Sequence, residues 1–322
     1  MTKKPYEPPS ISSLTRRVKL IRKLMGIVQK SPATMENAVG TDTWFDTAEG
    51  SVRALTYGFD NPEVKPLIVN IHGSGFTIGS AAMDDPFMMR FVDNCNAKVI
   101  SIDYSLAPEA RFPIPLNQCY AVVKYAKEHA DELAIDPDNI VIMGHSAGGN
   151  MCIGIGILDS KNRELGLKGI ILDYPPTDIA TDAYDKPLPK GCLPPALCRM
   201  FDASYRDSKD AKNPLVSPVF ATKEMIENFP PVLLITAGQD TLSYEAEEFR
   251  DMLIDAGVDV SYTKFEGQKH GFTVQNPIKT KRNESAYEAS EAAWCMMMDF
   301  AKERINAKSE KSEQVNRSNC CL

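Results

Sequence analysis

The chain has 322 residues, 43% of them hydrophobic, and it carries 36 basic against 43 acidic side chains for a net charge of −7. This composition provides a large core for one or two domains and lacks the basic stripe that nucleic-acid binding requires. The first residues contain no apolar signal core, and no run is long enough to cross a membrane. We therefore expect a soluble, cytoplasmic protein without stable membrane association.

Cysteine usage agrees with a reducing compartment. Eight cysteines are scattered along the chain, and four of them lie in apolar patterns typical of reduced core thiols: Cys95, Cys119, Cys152 and Cys295. No Cys-x-x-Cys pair that could hold zinc occurs in the sequence, and we expect neither a metal nor a cofactor. Homodimer formation stays open.

The first predicted element is an amphipathic helix over residues 11 to 28. Its apolar residues repeat at spacings of three and four, at Ile11, Leu14, Val18, Ile21, Met25 and Val28. The opposite face is basic, with Arg16, Arg17, Lys19, Arg22 and Lys23. Such a helix can lie on a membrane surface or pack on the protein's own domain, and we favour packing.

Strands and helices alternate along the rest of the chain. After a predicted hairpin, strands are predicted at 67–71, 98–103, 139–143, 169–173, 232–236 and 258–264. Helices are predicted at 85–94, 116–133, 150–158, 244–256 and 285–305. This alternation predicts an α/β fold with a mostly parallel sheet covered by helices on both faces. The proline-rich residues 176–213 interrupt the pattern where a lid would be inserted.

The most informative segment lies between residues 140 and 150. Four apolar residues form a short buried strand, the sequence Gly144-His145-Ser146-Ala147-Gly148 follows directly, and an apolar helix comes next. A Gly-x-Ser-x-Gly motif between a strand and a helix predicts a nucleophile elbow, in which a sharp turn holds the serine in a strained conformation. Ser146 is therefore the candidate nucleophile.

A serine nucleophile needs a histidine as base and an acid that orients it. Of the four histidines, His129 lies in a charged helical segment and is predicted to be solvated, and His145 sits inside the elbow and points away. His270 lies in a loop after a strand, where parallel sheets place active-site residues, and is the candidate base. Asp240 follows the strand 232–236 and is the candidate acid. The order serine, aspartate, histidine is that of α/β-hydrolases.

The remaining histidine opens a glycine-rich loop, His72-Gly73-Ser74-Gly75-Phe76, directly after the strand 67–71. Its small residues let backbone N–H groups approach a substrate oxygen, so this loop is predicted to supply an oxyanion hole. We also expect Phe76, at the end of the loop, to contact the substrate.

Together these motifs resemble the hormone-sensitive-lipase-like family of α/β-hydrolase carboxylesterases. The resemblance covers about residues 40 to 300 and rests on His72-Gly73-Ser74-Gly75-Phe76, Asp103-Tyr104-Ser105-Leu106-Ala107-Pro108-Glu109, Gly144-His145-Ser146-Ala147-Gly148-Gly149-Asn150, Asp240-Thr241-Leu242 and His270-Gly271-Phe272. It implies an α/β-hydrolase fold with an oxyanion hole formed by the backbone N–H groups of Ser74, Gly75 and Ala147.

The resemblance also implies a domain organisation. A cap built from residues 1–40 and the insertion 176–213 is expected to cover a catalytic domain of residues 41–175 and 214–306, and residues 307–322 are expected to be a disordered tail. Three positions depart from the family. Ser105 stands where arginine commonly follows Asp-Tyr, and this change has no structural interpretation. Ser74 stands where a third glycine is usual, and its hydroxyl is expected to narrow the acyl side. His145 stands where aspartate is usual, which would rewire a supporting hydrogen bond.

The expected function is that of a serine carboxylesterase that hydrolyses small soluble short-chain acyl esters through an acyl-enzyme intermediate. One alternative is an amidase such as an arylformamidase, a relative on the same fold that also carries histidine before the serine. Another is a non-catalytic ligand-binding receptor on a hydrolase scaffold. Receptors of that kind have lost the catalytic histidine, whereas His270 is present here.

Overall fold

One sheet of eight strands lies at the centre of the molecule. The computed structural model describes residues 7–28, 35, 37–275 and 278–306, so the expected tail 307–322 lies outside the described residues. The strands are β1 (Thr41–Thr47), β2 (Gly50–Tyr57), β3 (Lys65–Ile71), β4 (Lys98–Asp103), β5 (Ile135–His145), β6 (Gly169–Asp173), β7 (Val232–Ala237) and β8 (Val260–Phe265).

The order of the strands in the sheet is β1-β2-β4-β3-β5-β6-β7-β8. β2 runs antiparallel to β1 and to β4, and every other neighbouring pair is parallel. The mostly parallel α/β sheet expected from the alternation is therefore confirmed. Because parallel strands share one direction, the carboxyl ends of β3, β5, β6, β7 and β8 meet at the same edge of the sheet.

Helices connect the strands and cover both faces of the sheet. They are α1 (Ile11–Val28), α2 (Asp85–Cys95), α3 (Ile114–Glu128), α4 (Ala130–Leu133), α5 (Ala147–Asn162), α6 (Pro195–Tyr205), α7 (Lys223–Ile226), α8 (Leu242–Asp255) and α9 (Glu284–Asn306). Alternate residues of one strand face opposite layers: Leu67 belongs to the core cluster that includes α5, whereas Ile68 belongs to the cluster that includes Trp294 of α9.

Three local predictions need correction. The helix predicted over 116–133 is interrupted, because α3 ends at Glu128 and the backbone of His129 leaves the helical conformation before α4. His129 is half-buried and stacks on Tyr125, with ring centroids 3.9 Å apart, so it is not simply solvated. Cys295 is exposed rather than a core thiol, because it lies on the outer face of α9.

The predicted amphipathic helix, α1, packs against α6. Leu14 and Val18 are buried in a small apolar cluster with Met200 and Ala203 of α6. Ile11, at the start of the stripe, is 45% exposed, so the burial concerns the middle of the helix. The side chains of Met25 and Val28 lie outside the described part. No helix within the described ranges is long and apolar enough to cross a membrane.

Candidate active site

Ser146 lies at the sharp turn between β5 and α5. Its backbone has φ 51° and ψ −117°, a region that side chains other than glycine rarely adopt. A Cβ atom on Gly148 would lie 1.9 Å from the carbonyl oxygen of Ile71, and a Cβ atom on Gly144 would lie 2.4 Å from the backbone of Gly148. Glycine is therefore required at both positions, and the turn forms the elbow expected from the motif.

The fold brings the three predicted triad residues together. His270 Nε2 lies 2.9 Å from Ser146 Oγ, and His270 Nδ1 lies 2.6 Å from Asp240 Oδ2. Asp240 is fully buried in the turn after β7, and its second carboxylate oxygen accepts the N–H of Leu242 at the start of α8. Serine, imidazole and carboxylate thus form one continuous hydrogen-bonded chain.

The carboxylate fixes the tautomer of the imidazole. Asp240 accepts a hydrogen bond from the Nδ1–H group, which leaves a lone pair on Nε2 to accept the hydroxyl proton of Ser146. Burial by itself would lower the pKa of His270, but the charge of Asp240 and its hydrogen bond, together with Asp173 and Glu245, raise the pKa above its ordinary value of 6.5. The site can therefore move a proton from the serine to a base that is stabilised when charged.

The glycine-rich loop after β3 lies beside the elbow. A Cβ atom on Gly73 would be 2.9 Å from the carbonyl oxygen of His145 and 3.4 Å from Cβ of Ser146. Ser74, Gly75 and Phe76 have φ of 78°, 59° and 61°, which turns the main chain sharply at this point. Donors from such a turn and from the first residue of a helix are the groups that an oxyanion hole requires.

Ala147 is the other residue that we expect to donate to an oxyanion. It is the first residue of α5, where the backbone N–H has no acceptor within the helix. Ala147 directly follows Ser146 in the chain, so its N–H lies beside the candidate nucleophile. The loop that contains Ser74 and Gly75 therefore lies beside the turn that contains Ser146 and Ala147.

Two side-chain expectations for this loop are wrong. Phe76 is only 2% exposed and stacks on Tyr205 of α6, with ring centroids 3.7 Å apart, so its ring is packed beneath α6 and does not face a substrate. The hydroxyl of Ser74 points at the sulfur of Met83, 3.4 Å away, rather than narrowing the acyl side. In place of Phe76, the ring of Phe201 lies on the loop, 2.4 Å from where a Cβ atom on Gly75 would be.

Several polar residues behind the elbow have partners that were not predicted from the sequence. His145 and Asp173 form a buried pair, Nδ1 to Oδ2 at 2.7 Å, and Thr273 donates to the same carboxylate oxygen at 2.6 Å. The unusual histidine in the motif was a signal for such a contact, but the partner depends on which strand lies beside β5. Within the described ranges, no three His, Cys, Asp or Glu side chains are grouped to hold a metal ion.

Comparison with known proteins identifies the class. A family model described by its α/β-hydrolase fold matches residues 68–274, from β3 to the loop that carries His270. The chain belongs to this family. An arylesterase of Saccharolobus solfataricus is 31% identical over 209 residues, 64% of this chain and 68% of the relative. This chain spans about two thirds of the length of that arylesterase and of comparable curated relatives.

Two further matches agree with this assignment. Mouse hormone-sensitive lipase is 34% identical over 122 residues, which cover 38% of this chain and 16% of the lipase. The crystal structure of a thermostable esterase from Pseudomonas putida superposes with a TM-score of 0.80 at 23% identity, over 90% of this chain and 91% of that one, and shows the same fold. The chain is thus a hormone-sensitive-lipase-like α/β-hydrolase, in a class of carboxylic ester hydrolases.

Proposed function

We propose that this protein is a serine carboxylesterase that hydrolyses small, short-chain acyl esters through an acyl-enzyme intermediate. The observation that carries this proposal is the hydrogen-bonded chain from Ser146 Oγ through His270 to Asp240, with distances of 2.9 Å and 2.6 Å. A nucleophile beside a base that is itself oriented by a buried acid is the arrangement that acyl transfer by serine needs.

The first half of the reaction acylates the serine. Ser146 Oγ attacks the ester carbonyl carbon while His270 Nε2 takes the hydroxyl proton, and Asp240 stabilises the imidazolium. The carbonyl oxygen becomes an oxyanion and accepts hydrogen bonds from the backbone N–H groups of Gly75 and Ala147, with Ser74 as a further donor. When the intermediate collapses, the bond to the alcohol oxygen breaks and His270 returns its proton to that oxygen.

The second half uses the same groups with water as the nucleophile. His270 takes a proton from water, the resulting hydroxide attacks the acyl carbon, and the same N–H groups stabilise the second oxyanion. Collapse of this intermediate releases the carboxylic acid, and the proton on His270 returns to Ser146 Oγ. The net change is one ester and one water converted to one acid and one alcohol, with the enzyme restored.

The proposed cap, formed by α1 and the insertion 176–213, favours small substrates over large ones. The ring of Phe201 on α6 rests on the main chain of Gly75, beside the expected oxyanion position. Leu14 and Val18 of α1 pack behind α6 and support it in that place. An acyl chain bound at this site therefore meets an aromatic wall after a short distance. The alcohol could be an aryl, alkyl or sugar group.

Phosphonate labelling combined with a substrate screen tests the proposal. An organophosphonate should add one covalent label at Ser146, and Ser146→Ala should lower kcat by about 10⁴-fold or more without unfolding the protein. Esters from acetyl to decanoyl on one leaving group should be cleaved best at the short end, and faster than an aryl formamide. A label on another residue, or an alanine variant that keeps a tenth of the activity, would contradict the assignment.

A further inference from the structure

A second buried histidine–aspartate pair lies directly behind the nucleophile elbow. His145 is the last residue of β5 and Asp173 the last residue of β6, and the two are paired across the sheet. His145 is 1% exposed and Asp173 is fully buried. The 2.7 Å contact between His145 Nδ1 and Asp173 Oδ2 takes no part in the proton transfers described above, although His145 precedes the nucleophile in the chain.

The hydrogen bonds around Asp173 have a single possible direction. Asp173 Oδ2 also accepts the hydroxyl of Thr273 at 2.6 Å, and the oxygen of Thr273 lies 2.5 Å from the hydroxyl of Tyr174. A threonine hydroxyl has one proton, which it gives to the carboxylate, so Tyr174 must be the donor to Thr273. Tyr174, Thr273 and His145 therefore all direct protons toward one carboxylate, with no alternative arrangement of donors.

This network reaches His270 through Thr273, in the same loop, and through the ring of Tyr174. Thr273 lies three residues after His270 in the same loop, and its carbonyl oxygen accepts Ser290 Oγ at 2.7 Å and Trp294 Nε1 at 3.0 Å from α9. The ring of Tyr174 meets that of His270 edge-on, with centroids 4.8 Å apart and planes at 62°. The loop that carries His270 is thus held at Thr273 and at the imidazole ring of His270 itself.

Asp173 also holds the nucleophile. Its carbonyl oxygen accepts the backbone N–H of Ser146 at 2.8 Å, while its side chain holds the loop of His270 through Thr273. One residue therefore sets the position of both partners of the 2.9 Å contact between Ser146 Oγ and His270 Nε2. A shift of a few tenths of an ångström in either partner would lengthen that contact, and catalysis depends steeply on such geometry.

We propose that His145, Asp173, Thr273 and Tyr174 form a positioning network that holds His270 in hydrogen-bond register with Ser146. This inference rests on the proposed function, because it concerns residues that act through the same base. His145 serves to orient the Asp173 carboxylate and fills the place where the family usually has aspartate. None of the four residues takes or gives a proton to the substrate.

The network also has an electrostatic effect on the base. The charged groups that face His270 are Asp240, Asp173 and Glu245, and each of them raises the pKa of His270 against the effect of burial. Glu245 is paired with Lys186, 2.5 Å away. Because Asp173 raises the pKa of His270, replacing Asp173 should shift the pH profile of activity, which the loss of a purely structural contact would not do.

His145 faces charges of its own. Burial would lower the pKa of His145, but the carboxylates of Asp84 and Asp173 outweigh it and raise the pKa above the ordinary 6.5. His72, at the end of β3, is the third titratable group near it, and burial lowers the pKa of His72. Asp84 and Asp173 thus favour the protonated form of His145, which donates from Nδ1 to Asp173.

A matched pair of variants tests the hydrogen-bond link. Thr273→Val keeps the shape of the side chain but removes the hydroxyl, and Thr273→Ser keeps the hydroxyl. We expect Thr273→Val to lower kcat by about 10- to 100-fold with KM changed by less than about twofold, since a positioning loss falls on the transition state. Thr273→Ser should stay within about threefold of wild type. Equal activity of both variants with wild type would overturn the proposal.

The pH profile of Asp173→Asn provides the second measurement. Asparagine keeps an oxygen that can accept the Thr273 hydroxyl but carries no charge, so the pKa of His270 should fall and the acidic limb of kcat should move to lower pH. An unchanged midpoint would count against the network. Should Thr273→Val fail to fold by circular dichroism, Tyr174→Phe replaces it, because it removes the donor to Thr273 and keeps the ring on His270.

The same experiments separate this inference from the proposed function. A wild-type protein that neither cleaves short esters nor takes a phosphonate label on Ser146 would contradict the proposed function. A wild-type protein that does both, with Thr273→Val and Tyr174→Phe at wild-type kcat, would contradict the positioning network alone.

Discussion

At the scale of single residues, the contact between Asp240 and His270 decides how the site can react. The buried carboxylate holds the imidazole with its lone pair toward Ser146 and stabilises the positive charge that forms there. Because the charge of Asp240 raises the pKa of His270 above 6.5, the base loses its proton only above that pH. Activity should therefore rise through a midpoint above 6.5 and reach a plateau in alkaline solution.

Replacing Asp240 with asparagine tests this arrangement. The amide no longer favours the reactive tautomer, so kcat should fall by about 10⁴-fold. The acidic limb of the remaining activity should move to lower pH, because the largest charge that favours protonated His270 has gone. Asp251→Asn is the control, since Asp251 forms an exposed pair with Arg250 and should leave the profile unchanged. Near wild-type activity of Asp240→Asn would show that another residue is the acid.

At the scale of elements, α6 is the part of the insertion that reaches the site. It places Phe201 on Gly75 and Tyr205 on Phe76, so that one helix contacts both consecutive residues of the oxyanion loop. Its other side packs on α1 through Met200. The helix can therefore set the length of acyl chain that fits, while its own position depends on α1.

Shortening Phe201 should change substrate choice rather than abolish activity. In Phe201→Ala the wall beside the oxyanion position is removed, so the ratio of kcat/KM for an octanoyl ester to that for an acetyl ester should rise by about tenfold. Leu197→Ala is the matched control on the same helix, because Leu197 contacts the cluster with α1. An unchanged acyl profile in Phe201→Ala, or an equal change in both variants, would contradict a role in chain-length selection.

The N-terminal helix provides a second prediction at this scale. Arg22 of α1 donates to the carbonyl oxygens of Thr77 and Ala107 and forms two 3.0 Å hydrogen bonds with Glu109, which ties α1 to the end of the oxyanion loop. Deleting residues 1 to 30 should raise KM for short esters and lower kcat, while Ser146 still reacts with a small phosphonate.

The opposite result would identify α1 as a helix that lies on a membrane surface. In that case the truncated protein would keep its kinetics on soluble esters and would lose binding to anionic vesicles. Vesicle sedimentation and steady-state kinetics on the same truncated protein therefore distinguish the two roles of the helix. We expect only the kinetic change.

The strands that are buried on both faces were the elements most open to prediction. β4 and β6 have apolar centres, are almost entirely buried, and begin and end at the predicted residues. β5 begins four residues before its predicted start. The added residues at its beginning are mostly polar, and among them only Ile135 pairs with the neighbouring strand, with Lys65 of β3. The order of Ser146, Asp240 and His270 could also be predicted, since each of them follows a strand that the sequence pattern predicts.

Features that depend on residues far away in the sequence could not be predicted from it. Phe76 was expected at the substrate because nothing near it in the chain shows that Tyr205, from the insertion, stacks on its ring. The partner of His145 is Asp173 because β6 lies beside β5 with those two residues in register. Contacts of this kind are set by sheet order and by the insertion, and local periodicity carries no information about either.

At the scale of the whole molecule, a buried ion pair joins the segment 176–213 to α8. Lys186 of the insertion lies 2.5 Å from Glu245 of α8, and their side chains are 9% and 7% exposed. The other oxygen of Glu245 accepts the backbone N–H groups of Thr177 and Asp178, at 2.9 Å and 3.1 Å, where the insertion begins. The insertion and the domain should therefore unfold together in a single transition.

Breaking this pair should destabilise the whole protein. Lys186→Met leaves the Glu245 charge buried without a partner, which should lower the free energy of unfolding by about 3–5 kcal/mol in urea denaturation. Lys124→Met removes a lysine from a surface pair with Glu164 of similar length, 2.7 Å, and should cost at most about 1 kcal/mol. Equal losses in the two variants, or separate transitions for insertion and domain, would contradict this coupling.

The pH dependence gives the Lys186 variant a signature. Burial raises the pKa of Glu245 even with Lys186 beside it, so without the lysine that pKa should rise further. A carboxyl whose pKa is higher in the folded than in the unfolded state holds its proton better when folded, so its effect on stability becomes less favourable as the pH rises. The deficit of Lys186→Met should therefore be small at pH 5 and larger at pH 8. Adding Glu245→Gln, which removes the charge but keeps an oxygen for Thr177 and Asp178, should recover most of the deficit at pH 8.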